Sequence, residues 1–99
     1  MFKISCDLMR TEDASKLKEM LKNFFPDAEF SANGGEIVGL SSLSHFKELC
    51  ERQNSMAFAE LRRAGKVSLD KMAMHAGVIA PCDEAPLGCV TIKKADNNN

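Results

Sequence analysis

Arg62, Arg63, Lys66 and Lys71 form the one compact basic cluster in this sequence. An arginine guanidinium can hold a phosphate through two parallel N–H groups, and a lysine ammonium acts on it as a point charge. The first three fall at the end of a helical pattern and Lys71 on the strand expected after it, so contact with a nucleic-acid backbone is the chemistry they could perform. The same charges would also complement the negative end of that helix and keep the surface soluble. Both readings stand at this level.

The remaining reactive side chains offer less. His45 and His75 are isolated, and neither has a second metal ligand four residues away. Asp83-Glu84 is a pair of loop carboxylates, and a divalent ion needs further oxygen ligands. Ser41, Ser42 and Ser44 lack the Gly-x-Ser-x-Gly elbow of serine hydrolases, and no Gly-x-x-x-x-Gly-Lys phosphate loop occurs. Cys6 and Cys50 fall on apolar faces and read as core, while Cys82 and Cys89 bracket the Pro86 loop and could bridge, free thiols being the expected state in the cytoplasm. The chain is therefore expected to be no enzyme, with no cofactor, no metal and no small-molecule substrate.

Thirteen basic against fourteen acidic side chains give a net charge of −1, which argues against strong nonspecific nucleic-acid affinity and confines any such site to a local patch. There is no Trp, no Tyr and only six Phe. Phe2, Phe24, Phe30 and Phe46 suit a core; Phe25 and Phe58 are the candidates for exposure. Base stacking on aromatics is thus disfavoured, and recognition of folded RNA by backbone and shape is the surviving form of nucleic-acid binding. No apolar run suits a membrane span and the N-terminus reads directly as a strand, so a cytoplasmic location is expected.

The elements that must position these residues follow from periodicity. Phe2, Ile4, Cys6 and Leu8 alternate with polar residues as a strand. Thr11 offers a cap for a helix whose stripe is Ala14, Leu17, Met20, Leu21 and Phe24, stopped by Pro26. Residues 28–31 and 36–40 flank Asn33-Gly34-Gly35 as a hairpin. Ser42 or Ser44 can cap a second helix with Leu43, Phe46, Leu49 and Cys50 on one face. Ser55 can cap a third, which packs Met56, Ala57, Leu61 and Ala64 inward and ends at Gly65. Residues 67–72, 78–80 and 89–93 read as strands. The fold class is α+β: a single domain, residues 1–93, with a mostly antiparallel sheet of about five or six strands, two or three helices on one face and the other face open, followed by a disordered tail at 94–99. The open face is where function would most easily sit. Residues 72–79, with Met72, Met74, Val78 and Ile79, are either sheet core or a self-association surface.

Short matches run in order through Thr11-Glu12-Asp13, Asn23-Phe24-Phe25-Pro26-Asp27-Ala28-Glu29, Ile37-Val38-Gly39, Ser42-Leu43 with Phe46, Lys71, and Asp83-Glu84-Ala85-Pro86-Leu87-Gly88. In these the chain resembles a small archaeal family described as RNA-binding proteins and predicted exosome subunits, with a fold similar to that of the 5S-rRNA-binding protein of the large ribosomal subunit. The resemblance implies structural roles for Pro26, for Gly39 in a close strand contact and for Pro86-Leu87-Gly88 in a loop, and it singles out Lys71 as a matched lysine. Residues 54–66 depart from the pattern: either Arg62 and Arg63 take the place of what is missing there, or this member has lost the activity that the resemblance implies. The expected function is a noncatalytic RNA-binding module that contacts structured RNA backbone through Arg62, Arg63, Lys66 and Lys71. The alternative is a protein-interaction or dimerisation domain, a homodimer being the partner in that case.

Overall fold

Alternation of buried and outward residues along β1 (Phe2–Asp7) and its partner strands sets the architecture. A computed structural model describes residues 1–82 and 88–95 and gives β1 (Phe2–Asp7), α1 (Ala14–Phe24), β2 (Ser31–Asn33), β3 (Glu36–Ser41), α2 (Ser44–Arg52), α3 (Ala57–Ala64), β4 (Lys66–Asp70), α4 (Lys71–His75) and β5 (Cys89–Lys94). The five strands form one antiparallel sheet in the order β2-β3-β1-β5-β4. Ile4 and Cys6 of β1, Ile37 of β3, Val67 and Leu69 of β4, and Val90 and Ile92 of β5 are buried against the helices. Leu17, Leu21, Phe46 and Leu61 are buried from the helical side. The expected α+β class, with an antiparallel sheet covered on one face, is the fold observed.

Several local expectations change for identifiable reasons. Asp13, not Thr11, caps α1, its carboxylate accepting the Ser15 N–H at 2.8 Å. Neither Ser42 nor Ser44 caps α2: the cap position is Leu43, in a left-handed conformation with φ 67°. Asp27 organises that turn instead, accepting Ser41 Oγ at 2.7 Å, Ser42 N at 2.8 Å and Ser42 Oγ at 2.9 Å. These donors hold the Asp27 carboxyl below its usual range, led by the Ser42 amide and the Ser41 hydroxyl. Residues 28–30 consequently stay irregular, and β2 starts at Ser31 rather than Ala28. The hairpin is as expected: Asn33 pairs with Glu36 across Gly34 and Gly35, whose φ values of 62° and 82° suit only glycine readily.

Phe25, expected to be a candidate for exposure, has no accessible surface. The chain breaks helical geometry there, ahead of Pro26, and the turn carries the ring inward, 5.3 Å from the Phe46 centroid and 6.4 Å from that of Phe30. Gly39 makes a close contact, with the Phe30 ring: a Cβ at position 39 would lie 2.6 Å from Phe30 Cδ1. Ser55 does serve the start of α3, accepting the Ala57 N–H at 3.2 Å, but Met56 and Ala64 are exposed rather than packed inward. Residues 78–80 form no strand of their own. Residues 80–82 instead lie along the outer edge of β4, through Asp70 N to Ala80 O at 2.8 Å, Cys82 N to Ser68 O at 3.0 Å, and an isolated bridge between Leu69 and Pro81.

β5 runs to Lys94, and Ala95 N donates to Met1 O, so ordered pairing extends past the expected boundary at 93. The Pro86 loop and residues 96–99 lie outside the described residues. Cys82 Sγ and Cys89 Sγ are 2.9 Å apart. Within residues 72–79 the chain divides: Met74 and Ile79 are core, Met72 and Val78 exposed.

Truncating Phe25 removes the hub of the aromatic cluster and leaves a void in a small core. Phe25→Ala should lower unfolding free energy by about 3–5 kcal/mol in urea denaturation, enough to unfold much of a domain of marginal stability.

Candidate nucleic-acid interface

Pairing register decides which side chains share the open face. On β1, Phe2, Ile4 and Cys6 point to the core, so Lys3, Ser5 and Asp7 point outward. Lys3 stands opposite Lys93 of β5, and Lys93 opposite Lys66 of β4. Three lysines from three adjacent strands thus form a ladder across the sheet, all of them exposed. One step along the strands, Ser5 is opposite Thr91 and Thr91 opposite Ser68. A further step brings Asp70 opposite Cys89, with Asp7 of β1 opposite Glu36 of β3. The open face is therefore zoned: a cationic row, a hydroxyl row, and an acidic row.

Among the described residues no carboxylate lies within ion-pair distance of Lys3, Lys66 or Lys93. Like charges directly opposite one another across a sheet destabilise it. An arrangement that concentrates cations without counter-charges is one that an anion would relieve.

The helical part of the sequence-derived cluster meets the same end of the sheet. Gly65, with φ 79°, ends α3 and turns the chain into Lys66, so Arg62 and Arg63 lie within four residues of the ladder. Arg62 is exposed and holds no carboxylate among the described residues; Arg63 is exposed and paired with Glu60 one turn back. A shallow cleft opens beside them at the outer edge of β4, between Lys66, Ser68, Glu60, Ala64, Pro81 and Cys82.

Lys71 is placed otherwise. The chain leaves β4 at Asp70, whose carboxylate caps α4 by accepting the Met72 N–H at 3.0 Å, and Lys71 turns inward to 1% exposure. Its ammonium donates to the Asp7 carbonyl at 2.7 Å and to Glu12 at 3.0 and 3.3 Å. No phosphate outside the protein reaches an ammonium buried and spoken for in this way; its partners tie β1, the β1–α1 segment and α4 together. Burial works to raise the Glu12 carboxyl, but the Met9 N–H and the Lys71 hydrogen bond and charge outweigh it and hold the group below its usual range. Cys6 lies in the same interior, where burial pushes its thiol up to about 11 against the pull of Lys71, so it remains a protonated core residue and no nucleophile at neutral pH.

The aromatic side chains belong to the core side of the sheet and offer no stacking platform on the open face. Phe24, Phe25 and Phe46 are buried, Phe2, Phe30 and Phe58 are half-buried against the core, and the Phe58 ring lies 5.8 Å from Lys47 Nζ. None belongs to the outward set of β1, β3, β4 or β5. His45 is half-buried and His75 exposed, and no group of three potential metal ligands occurs among the described residues. No helix is long and apolar enough to cross a membrane, again among the described residues.

Sequence reasoning missed Lys3 and Lys93. Both were already at outward positions of expected strands; what was missing was the knowledge that β1 and β5 are neighbours and in which register.

Comparison with known proteins gives one consistent result. The chain is 33% identical to a UPF0201 protein of Thermococcus kodakarensis, over 83% of this chain and 70% of that protein. It is 30% identical to a UPF0201 protein of Thermococcus onnurineus, over 83% of this chain and 72% of that one. The crystal structure of a UPF0201 protein from Methanococcus jannaschii superposes with a TM-score of 0.77 at 27% identity, covering 99% of this chain and 84% of the other. No protein-family model matches the sequence.

Two outcomes follow from these charge placements. Glu12→Gln leaves the buried Lys71 ammonium facing neutral acceptors in place of its carboxylate, and should cost about 2–4 kcal/mol, more than Lys71→Met, because a buried charge without its counter-charge is worse than none. In the wild type the carboxyl of Glu12 titrates lower folded than unfolded, so the unfolded chain takes up the proton first. The stability contributed is fully present above the ordinary value of 4.5 and drains away as pH falls through the folded value; Glu12→Gln should lose that acid limb in pH-dependent denaturation. By contrast, Lys93→Gln removes the middle charge of the ladder and should raise stability by a few tenths of a kcal/mol, up to about 1 kcal/mol, with the gain fading as salt screens the repulsion.

Proposed function

This chain belongs to the UPF0201 family, and from that premise we propose that it is a noncatalytic RNA-binding module which grips the backbone of a structured RNA through the basic end of its sheet. The observation that supports the reading best is the ladder Lys66, Lys93 and Lys3, cations aligned across three strands on an uncovered face without a carboxylate among the described residues to neutralise them. Arg62 and Arg63 extend the same patch from the end of α3. Backbone contact suits a face without aromatics, and a local patch suits a chain whose net charge is −1. Lys71 enters in a positioning role, holding β1 against α4. Association with the exosome, kinship with the 5S-rRNA-binding ribosomal protein and a cytoplasmic location belong to the same proposal.

The second reading, a protein-interaction or dimerisation domain, rests on exposed Met72 and Val78 at the end of the sheet opposite the ladder. A second copy would cover apolar surface there.

The deciding measurement is binding of nuclease-treated protein to an RNA hairpin and to a single-stranded RNA at two salt concentrations, with mass by light scattering on the same samples. Preference for the hairpin, with affinity that falls as salt rises, is expected. Lys3→Gln/Lys66→Gln/Lys93→Gln should flatten the log–log salt slope by about 2–3. A variant that keeps wild-type affinity and slope overturns the reading, and a stable dimer without RNA binding selects the second one.

A further inference from the structure

The hydroxyl groups of the row beside the ladder are only weakly engaged by the protein itself. Ser5, Thr91 and Ser68 stand opposite one another across β1, β5 and β4, on the open face and half-exposed. Ser68 Oγ and Thr91 Oγ1 are 3.5 Å apart, too long to satisfy either group, since hydroxyl pairs bond best at about 2.7–2.8 Å. Ser5 Oγ has no protein partner among the described residues. Three hydroxyls are thus lined up parallel to three lysines, two residues away along each strand, a separation of about 6.8 Å.

We propose that the row Ser5, Thr91 and Ser68 reads ribose 2′-hydroxyls and makes this face select RNA over DNA. The inference deepens the RNA-binding reading and rests on it. A phosphate drawn to the long lysine side chains is held out from the sheet, and the adjoining sugar is brought over the short hydroxyl side chains. A serine or threonine hydroxyl both donates and accepts, as the 2′-hydroxyl does, so the two can pair in either sense. A lysine can only donate, and a carboxylate can only accept. The acidic row of Asp70, Asp7 and Glu36 closes the other side and repels phosphate, which keeps the backbone on the lysines and running across the strands rather than along them. DNA meets the same lysines but leaves the hydroxyls to water.

The test compares binding of one hairpin sequence as RNA, as DNA and as 2′-O-methyl RNA, which keeps the A-form shape and loses the donor. Wild-type protein should bind RNA about tenfold more tightly than either analogue, the worth of one or two net hydrogen bonds. Ser5→Ala/Ser68→Ala/Thr91→Val should bring RNA down to the level of 2′-O-methyl RNA while leaving the salt slope unchanged. If circular dichroism shows the triple variant unfolded, Ser5→Ala alone carries the test, with a smaller loss of preference. A folded variant that keeps the full preference for RNA, while Lys3→Gln/Lys66→Gln/Lys93→Gln abolishes binding, overturns this inference and leaves the RNA-binding reading standing. A wild-type protein that binds none of the three hairpins overturns both.

Discussion

The antiparallel pairing of β1 with β3 on one side and β5 on the other is the constraint from which the rest follows. β1 is the first element of the chain yet the centre of the sheet, and its pairing joins residue 4 to residues 39 and 92. A register shift by one residue would send Ile4 and Cys6 to water and Lys3 and Ser5 into the core, so burial on one face fixes the pattern on the other. The lysine ladder, the hydroxyl row and the acidic row are consequences of that register and of the β5–β4 pairing next to it. They need no local sequence signal of their own.

The protein treats its lysines in two opposite ways. Lys71 is desolvated and compensated by Glu12 and the Asp7 carbonyl, which makes it part of the scaffold at the junction of three segments. Lys3, Lys66 and Lys93 are exposed and have no ion-pair partner among the described residues, which costs stability when nothing is bound and leaves them available to an anion. Asp27 is a carboxylate counterpart to Lys71: it takes three hydrogen bonds from Ser41 and Ser42 and thereby sets the entry to α2. Charge that builds the fold is buried or multiply bonded, and charge that can meet a partner stands on the open face.

Membership of the UPF0201 family and the agreement with a solved UPF0201 structure place the architecture firmly. The zoning of the open face gives a near-neutral chain a locally cationic patch, with Asp7, Glu36 and Asp70 set apart from the lysines along the strands.

Strong periodic and turn signals in the chain are enough to set its local elements. The alternation of β1, the apolar stripe of α1, the glycine hairpin and the glycine stop of α3 were all legible, because each depends on residues close in the chain. So was the α+β class with one face open. The pairing of distant elements was decided only by tertiary structure, and with it went the site: Arg62, Arg63 and Lys66 could be found as neighbours in sequence, whereas Lys3 and Lys93 join them only through contacts spanning most of the chain. The same holds for Lys71 and Phe25, whose local context suggested a strand-borne cation and an exposed ring. Each was turned inward by partners far away in sequence, Glu12 and Asp7 for the one and Phe46 for the other. Periodicity reports which way a side chain points relative to its own backbone; what it then meets is set by packing.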